Sequence, residues 1–68
     1  MKIYQKLNDY ISSNGIKQKF ISEKTGISEN ILSMILNGKR KIDADEFVEI
    51  VLALGLKPNY FIKQKENV

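Results

Sequence analysis

From Ile3 onward the apolar residues Ile3, Leu7, Tyr10 and Ile11 recur at the i, i+4, i+7, i+8 spacing that lines one face of a helix. Asn14-Gly15 stops this face, because glycine adopts the left-handed backbone that closes a helix, and a turn over Asn14 to Ile16 follows. A second helix fits Lys17 to Lys24, with Phe20 and Ile21 inward, Gln18, Lys19, Glu23 and Lys24 outward, and Gly26 as its stop. Ser28 is placed to cap a third helix by accepting from the free amides of its first turn. Ile31, Leu32 and Ile35 supply that helix with a buried stripe before Asn37-Gly38 closes it.

Lys39 to Ile42 form a basic loop, and Asp43-Ala44-Asp45-Glu46 has the form of a capping box, with Asp43 as the cap and Glu46 three residues on. In the fourth helix Phe47, Val48, Ile50, Val51, Leu52 and Leu54 cover more than half the circumference. That breadth predicts the central helix of the fold, stopped by Gly55. Pro58 suits the first turn of a short fifth helix through Asn59, Tyr60, Phe61 and Ile62. No alternating strand pattern, internal repeat or low-complexity linker competes. The expectation is an all-α chain of five short helices, one domain over residues 1–62, followed by a short charged tail over residues 63–68.

The 68 residues allow one thin core, and 43% hydrophobic against 28% charged residues with a single Pro is a globular composition. Without Cys there are no disulfides, thiolate ligands or cysteine nucleophiles, and without His the commonest proton-transfer side chain is missing. An enzyme is therefore not expected, nor a cofactor, a metal or a small-molecule ligand. The acidic group Asp43, Asp45, Glu46 and Glu49 lies in and just after a helix cap, where carboxylates are favoured electrostatically. No apolar run approaches the ~18 residues of a membrane span, and the opening MKIYQKLNDY is amphipathic rather than an export signal. The expected location is the cytoplasm, with no membrane partner. Charge is divided along the chain: residues 1–41 carry eight cations and three anions, residues 42–68 three cations and five anions.

Thr25-Gly26-Ile27 is too short a connection for an antiparallel helical hairpin but suits a sharp crossing, which is the geometry of a helix-turn-helix. Gly26 supplies the positive φ, Ile27 tucks into the core, and Ile21, Leu32 and Ile35 hold the two helices together. From "IKQKFISEKTGIS" through "NILSMILNGKRK" to "EFVEIVLALGLKPNYF", nearly the whole chain resembles the phage repressor and Cro-type helix-turn-helix regulators, the XRE type. The match includes the Gln that starts the second helix, the turn Gly, the Asn-Gly after the third helix and the Leu-Gly that ends the fourth. Ser22 stands where relatives usually carry Ala, and is small enough to preserve the crossing. Ile11 and Leu36 occupy positions where many relatives carry an internal Arg and Glu, which predicts an apolar contact in place of a buried ion pair.

The resemblance implies that the third helix enters the major groove of double-stranded DNA, where each base pair displays a distinct donor and acceptor pattern. Matching the motif by position makes Ser28, Glu29, Asn30, Ser33 and Met34 the base-reading set. Asn30 suits adenine, Glu29 suits cytosine, the serines can donate or accept, and Met34 suits a thymine methyl. Lys17, Gln18 and Lys19 would meet one phosphate at the start of the second helix, and Asn37, Lys39, Arg40 and Lys41 would hold the backbone on the other side. Leu56, Tyr60, Phe61 and Ile62 are the expected homodimer surface for a two-fold operator. A sequence-specific transcriptional regulator, most like a small Cro-type phage or prophage repressor, is the function so implied. An antitoxin or controller protein with the same domain, or a protein-interaction module, is the alternative.

Overall fold

Asp43 starts the last full helix through a reciprocal pair of hydrogen bonds. Its carboxylate accepts the Glu46 amide at 2.7 Å, while the Glu46 carboxylate accepts the Asp43 amide at 3.1 Å. That capping box opens α4, Ala44–Ala53, in the computed structural model, which describes residues 1–62. It is preceded by α1 (Ile3–Ser13), α2 (Gln18–Thr25) and α3 (Glu29–Leu36). The described residues thus form four α-helices, and the charged tail expected at 63–68 lies outside them. The expected fifth helix is shorter than its sequence suggested: Pro58–Tyr60 makes a single 3₁₀ turn, and Phe61 and Ile62 lie beyond it. Three residues cannot complete an α-helical hydrogen-bond ladder, so the turn stays in the tighter geometry.

One cluster of buried side chains joins the elements: Leu7 and Ile11 from α1, Ile21 from α2, Leu32 and Leu36 from α3, Ile50 and Val51 from α4, and Phe61. Ile35 is also fully buried. α1 packs on α3, and α2 lies against both α3 and α4. Ile11 and Leu36 belong to the same buried cluster, as the expected apolar contact between them requires. Ile27 packs against the cluster from the turn, as its apolar character required.

Four apolar residues depart from the sequence reading. The helical period places Phe20 inward, but it is 45% exposed, and the Lys24 ammonium sits 5.6 Å from its ring centre. One turn apart on α2, the two side chains form a cation–π pair instead of filling the core. Val48 and Leu52 are exposed on the outer side of α4, Leu52 to 59%. α4 is therefore not a central helix: only Ile50 and Val51 are fully buried, and its broad apolar surface exceeds what its neighbours cover. Ile31 is half-buried, and Leu36 takes the third fully covered place on α3.

Phe61 departs in the opposite sense, from an expected surface place into the core. It is 5% exposed and packs into the core edge-on to Tyr10, Phe47 and Tyr60, with ring centres 5.8, 6.5 and 4.9 Å away. Such edge-to-face contacts place the positive rim of one ring on the negative face of the next. The Lys6 ammonium donates to the Phe61 carbonyl at 3.2 Å, tying this end of the chain back to α1.

Candidate nucleic-acid interface

The crossing of α2 and α3 is held at three points. Gly26 ends α2 with φ +81, the left-handed backbone that a side chain would strain. The Thr25 hydroxyl donates to the Ile21 carbonyl at 2.8 Å and accepts the Ile27 amide at 3.1 Å, so one side chain satisfies backbone groups on both sides of the glycine. Its role was not anticipated from the sequence, although Thr just before a helix-ending Gly is the signal that could have revealed it. Ser28 then caps α3 by accepting the Ile31 amide at 3.1 Å. Across the crossing, Ile21, Leu32 and Ile35 are fully buried.

Burying that inner face leaves the other side of α3 outward. Ser28, Glu29 and Asn30 are exposed, and Ser33 and Met34 are half-buried farther along. Asn30, Ser33, Met34 and Asn37 follow the i, i+3, i+4, i+7 spacing of one helical stripe. Two of these polar groups are already engaged. The Ser28 hydroxyl accepts at the cap, leaving its proton free to donate. The Asn37 side-chain amide donates to the Ser33 carbonyl at 2.7 Å, closing the last turn of α3. Asn37 thus acts as a helix cap, and the same amide nitrogen also donates to the Ser33 hydroxyl at 3.5 Å.

The cations fall in two segments, at the start of α2 and in the loop after α3. Lys17 is the N-cap of α2, Gln18 its first residue and Lys19 the next, with both lysines exposed and Gln18 half-buried. Beyond the C-terminus of α3, Lys39 and Lys41 are exposed. Arg40 is not equivalent to them: its guanidinium donates to both oxygens of Glu46 at 3.1 Å. The pair is partly open to solvent, with the Arg40 side chain 37% and the Glu46 side chain 18% exposed. Among the described residues, a carboxylate of the α4 cap therefore partly neutralises the middle of the three-cation run.

The four residues expected to pair two copies are divided by the fold. Tyr60 and Ile62 are exposed, Leu56 is half-buried against the core, and Phe61 is withdrawn into it. The sequence places Phe61 at the surface as apolar area beyond what a short helix can bury; Tyr10 and Phe47 provide that burial. No helix among the described residues is long and apolar enough to cross a membrane.

These features have a counterpart among known proteins. The model of a protein family described as a helix-turn-helix domain matches residues 4–67. No curated protein and no solved structure matches the chain.

Proposed function

The chain belongs to the helix-turn-helix domain family, and on that premise we propose that it is a sequence-specific regulator of transcription, of the phage repressor and Cro kind, that acts by occupying a double-stranded DNA operator. The observation that carries this reading is the outward stripe of α3. Leu32, Ile35 and Leu36 commit its inner face to the core, while Ser28, Glu29 and Asn30 stay exposed, with cations at the start of α2 and in the loop after α3. Phosphate contacts by Lys17, Gln18, Lys19, Lys39 and Lys41 would set position, and the stripe would read base edges. Occupying a promoter site needs no catalytic group. Such a protein works in the cytoplasm, where its DNA is.

Two-fold pairing on the operator is part of the proposal, because one short helix reads too few bases for strong discrimination. Recognition helices about 34 Å apart would meet successive major grooves. With Phe61 buried, Tyr60 and Ile62 are the apolar side chains at that end still free to meet a second copy.

Fluorescence anisotropy with a random-sequence duplex at two salt concentrations tests the reading. Several phosphate contacts require affinity to fall steeply as salt rises. Absent or salt-independent binding would favour a protein-interaction module that uses the same face. Selection from a random DNA pool would then give the half-site and its symmetry, an inverted repeat being the outcome that two-fold pairing demands.

A further inference from the structure

Between the start of α1 and the loop after α3 lies a cleft of about 350 Å³, lined by Lys2, Tyr4, Gly38, Arg40 and Lys41 together with Ile3 and Ile42. Lys2 and Tyr4 precede the helix-turn-helix by more than a dozen residues, yet the fold sets them against its far flank. The approach is close. A Cβ on Gly38 would lie 2.5 Å from Cζ of Tyr4 and 2.7 Å from its hydroxyl oxygen. The phenol therefore rests on the backbone immediately after Asn37, and the missing side chain of Gly38 makes room for it.

The chemistry of the cleft is cationic. Three of its lining residues carry positive charge and none is acidic. Of these cations Arg40 is engaged, by the Glu46 carboxylate of α4. Among the described residues Lys2 and Lys41 have no ion-pair partner, and no hydrogen bond engages the Tyr4 hydroxyl. Two ammonium groups and a phenolic donor around a shallow opening suit a singly charged phosphodiester, whose oxygens accept a directional O–H while the ammoniums act as point charges.

From this juxtaposition we infer that Lys2, Tyr4 and Lys41 form a further seat for a DNA backbone phosphate, outside the helix-turn-helix itself. The inference rests on the DNA-binding reading and extends it to the first turn of α1. The Tyr4 ring locks α1 to the loop through Gly38, while its hydroxyl and the two lysines hold a phosphate beyond the C-terminal end of α3. The seat carries no base information, so it would add affinity equally on all sequences.

Anisotropy with a labelled random-sequence duplex over a salt series tests it, using the wild type, Lys2→Gln, Lys2→Arg, Tyr4→Phe and, as a reference on the opposite flank, Lys17→Gln. Circular dichroism and thermal melting check the fold; Tyr4→Phe keeps the ring over Gly38 and removes only the hydroxyl. Lys2→Gln should lower the slope of log affinity against log salt by about 0.9, the amount for one phosphate, and Lys2→Arg should restore it. Tyr4→Phe should weaken binding roughly 2- to 10-fold, the equivalent of one hydrogen bond. If the wild type binds steeply and Lys17→Gln flattens the slope while Lys2→Gln and Tyr4→Phe match the wild type, the seat is rejected and the DNA reading stands. A loss from Lys2→Gln alone would remove the hydroxyl and overturn the three-residue site. Should the wild type bind no duplex, the DNA reading itself fails and the seat falls with it.

Discussion

Arg40 donates to both carboxylate oxygens of Glu46 at 3.1 Å, and one of those oxygens also accepts the Asp43 amide that begins α4. A single carboxylate therefore caps a helix and restrains a cation of the loop after α3. Glu46→Gln should act on the two roles in opposite directions. Losing the ion pair and weakening the cap should cost about 0.5–1.5 kcal/mol of stability, with solvent around the half-exposed pair keeping the figure low. Duplex binding should tighten and its salt dependence steepen, by up to about 0.9 in slope if the released Arg40 reaches one phosphate. Thermal melting and a salt titration of the same variant check both; weaker DNA binding by a folded variant would contradict the assignment.

Asn30 and Asn37 lie on the same stripe but make different commitments. No side-chain hydrogen bond within the described residues holds Asn30, whereas Asn37 donates to Ser33 at 2.7 Å. Asn30→Ala should leave the melting temperature nearly unchanged and relax discrimination at one operator position, costing about 1–3 kcal/mol there. Asn37→Ala should lower stability by roughly 1 kcal/mol and weaken binding on all sequences alike. Parallel site selections with the two variants distinguish these outcomes.

Gly38 and Gly26 both have positive φ, +75 and +81, but only Gly38 has a neighbour in the way. Alanine at 26 meets nothing within 4 Å and should cost the backbone strain alone, about 1–2 kcal/mol. Alanine at 38 should cost clearly more, because the Tyr4 ring must also move. Combining Gly38→Ala with Tyr4→Ala should cost less than the two single changes added together, as a double-mutant cycle by chemical denaturation would show.

Leu36 and Leu52 are both apolar residues on a helix, but the fold covers only the first. Leu36 is buried at 1% exposure and Leu52 is open at 59%. Leu36→Ala should cost about 2–5 kcal/mol, enough to unfold a large share of a domain this small. Leu52→Ala should stay within about 0.5 kcal/mol. Equal losses at the two sites would mean that α4 is covered where the fold leaves it bare.

The sequence by itself determined the four α-helices, the caps at Ser28 and Asp43 and the turn between α2 and α3. Each rests on chemistry within a few residues: the Ser28 hydroxyl reaches an amide three positions on, Asp43 and Glu46 cap one another, and the Gly26 backbone needs no partner to turn. The exposed polar stripe of α3 was legible for the same reason, since an apolar period of one face implies a polar opposite face. Only the tertiary structure decided which surplus apolar residues found partners, burying Phe61 and leaving Phe20, Val48 and Leu52 outside. It also decided that Arg40 faces Glu46 and that Tyr4 rests on Gly38. Helical period shows which residues share a face but not how much of that face a neighbour covers. That coverage, like the meeting of residues 4 and 38, depends on how the helices pack once formed.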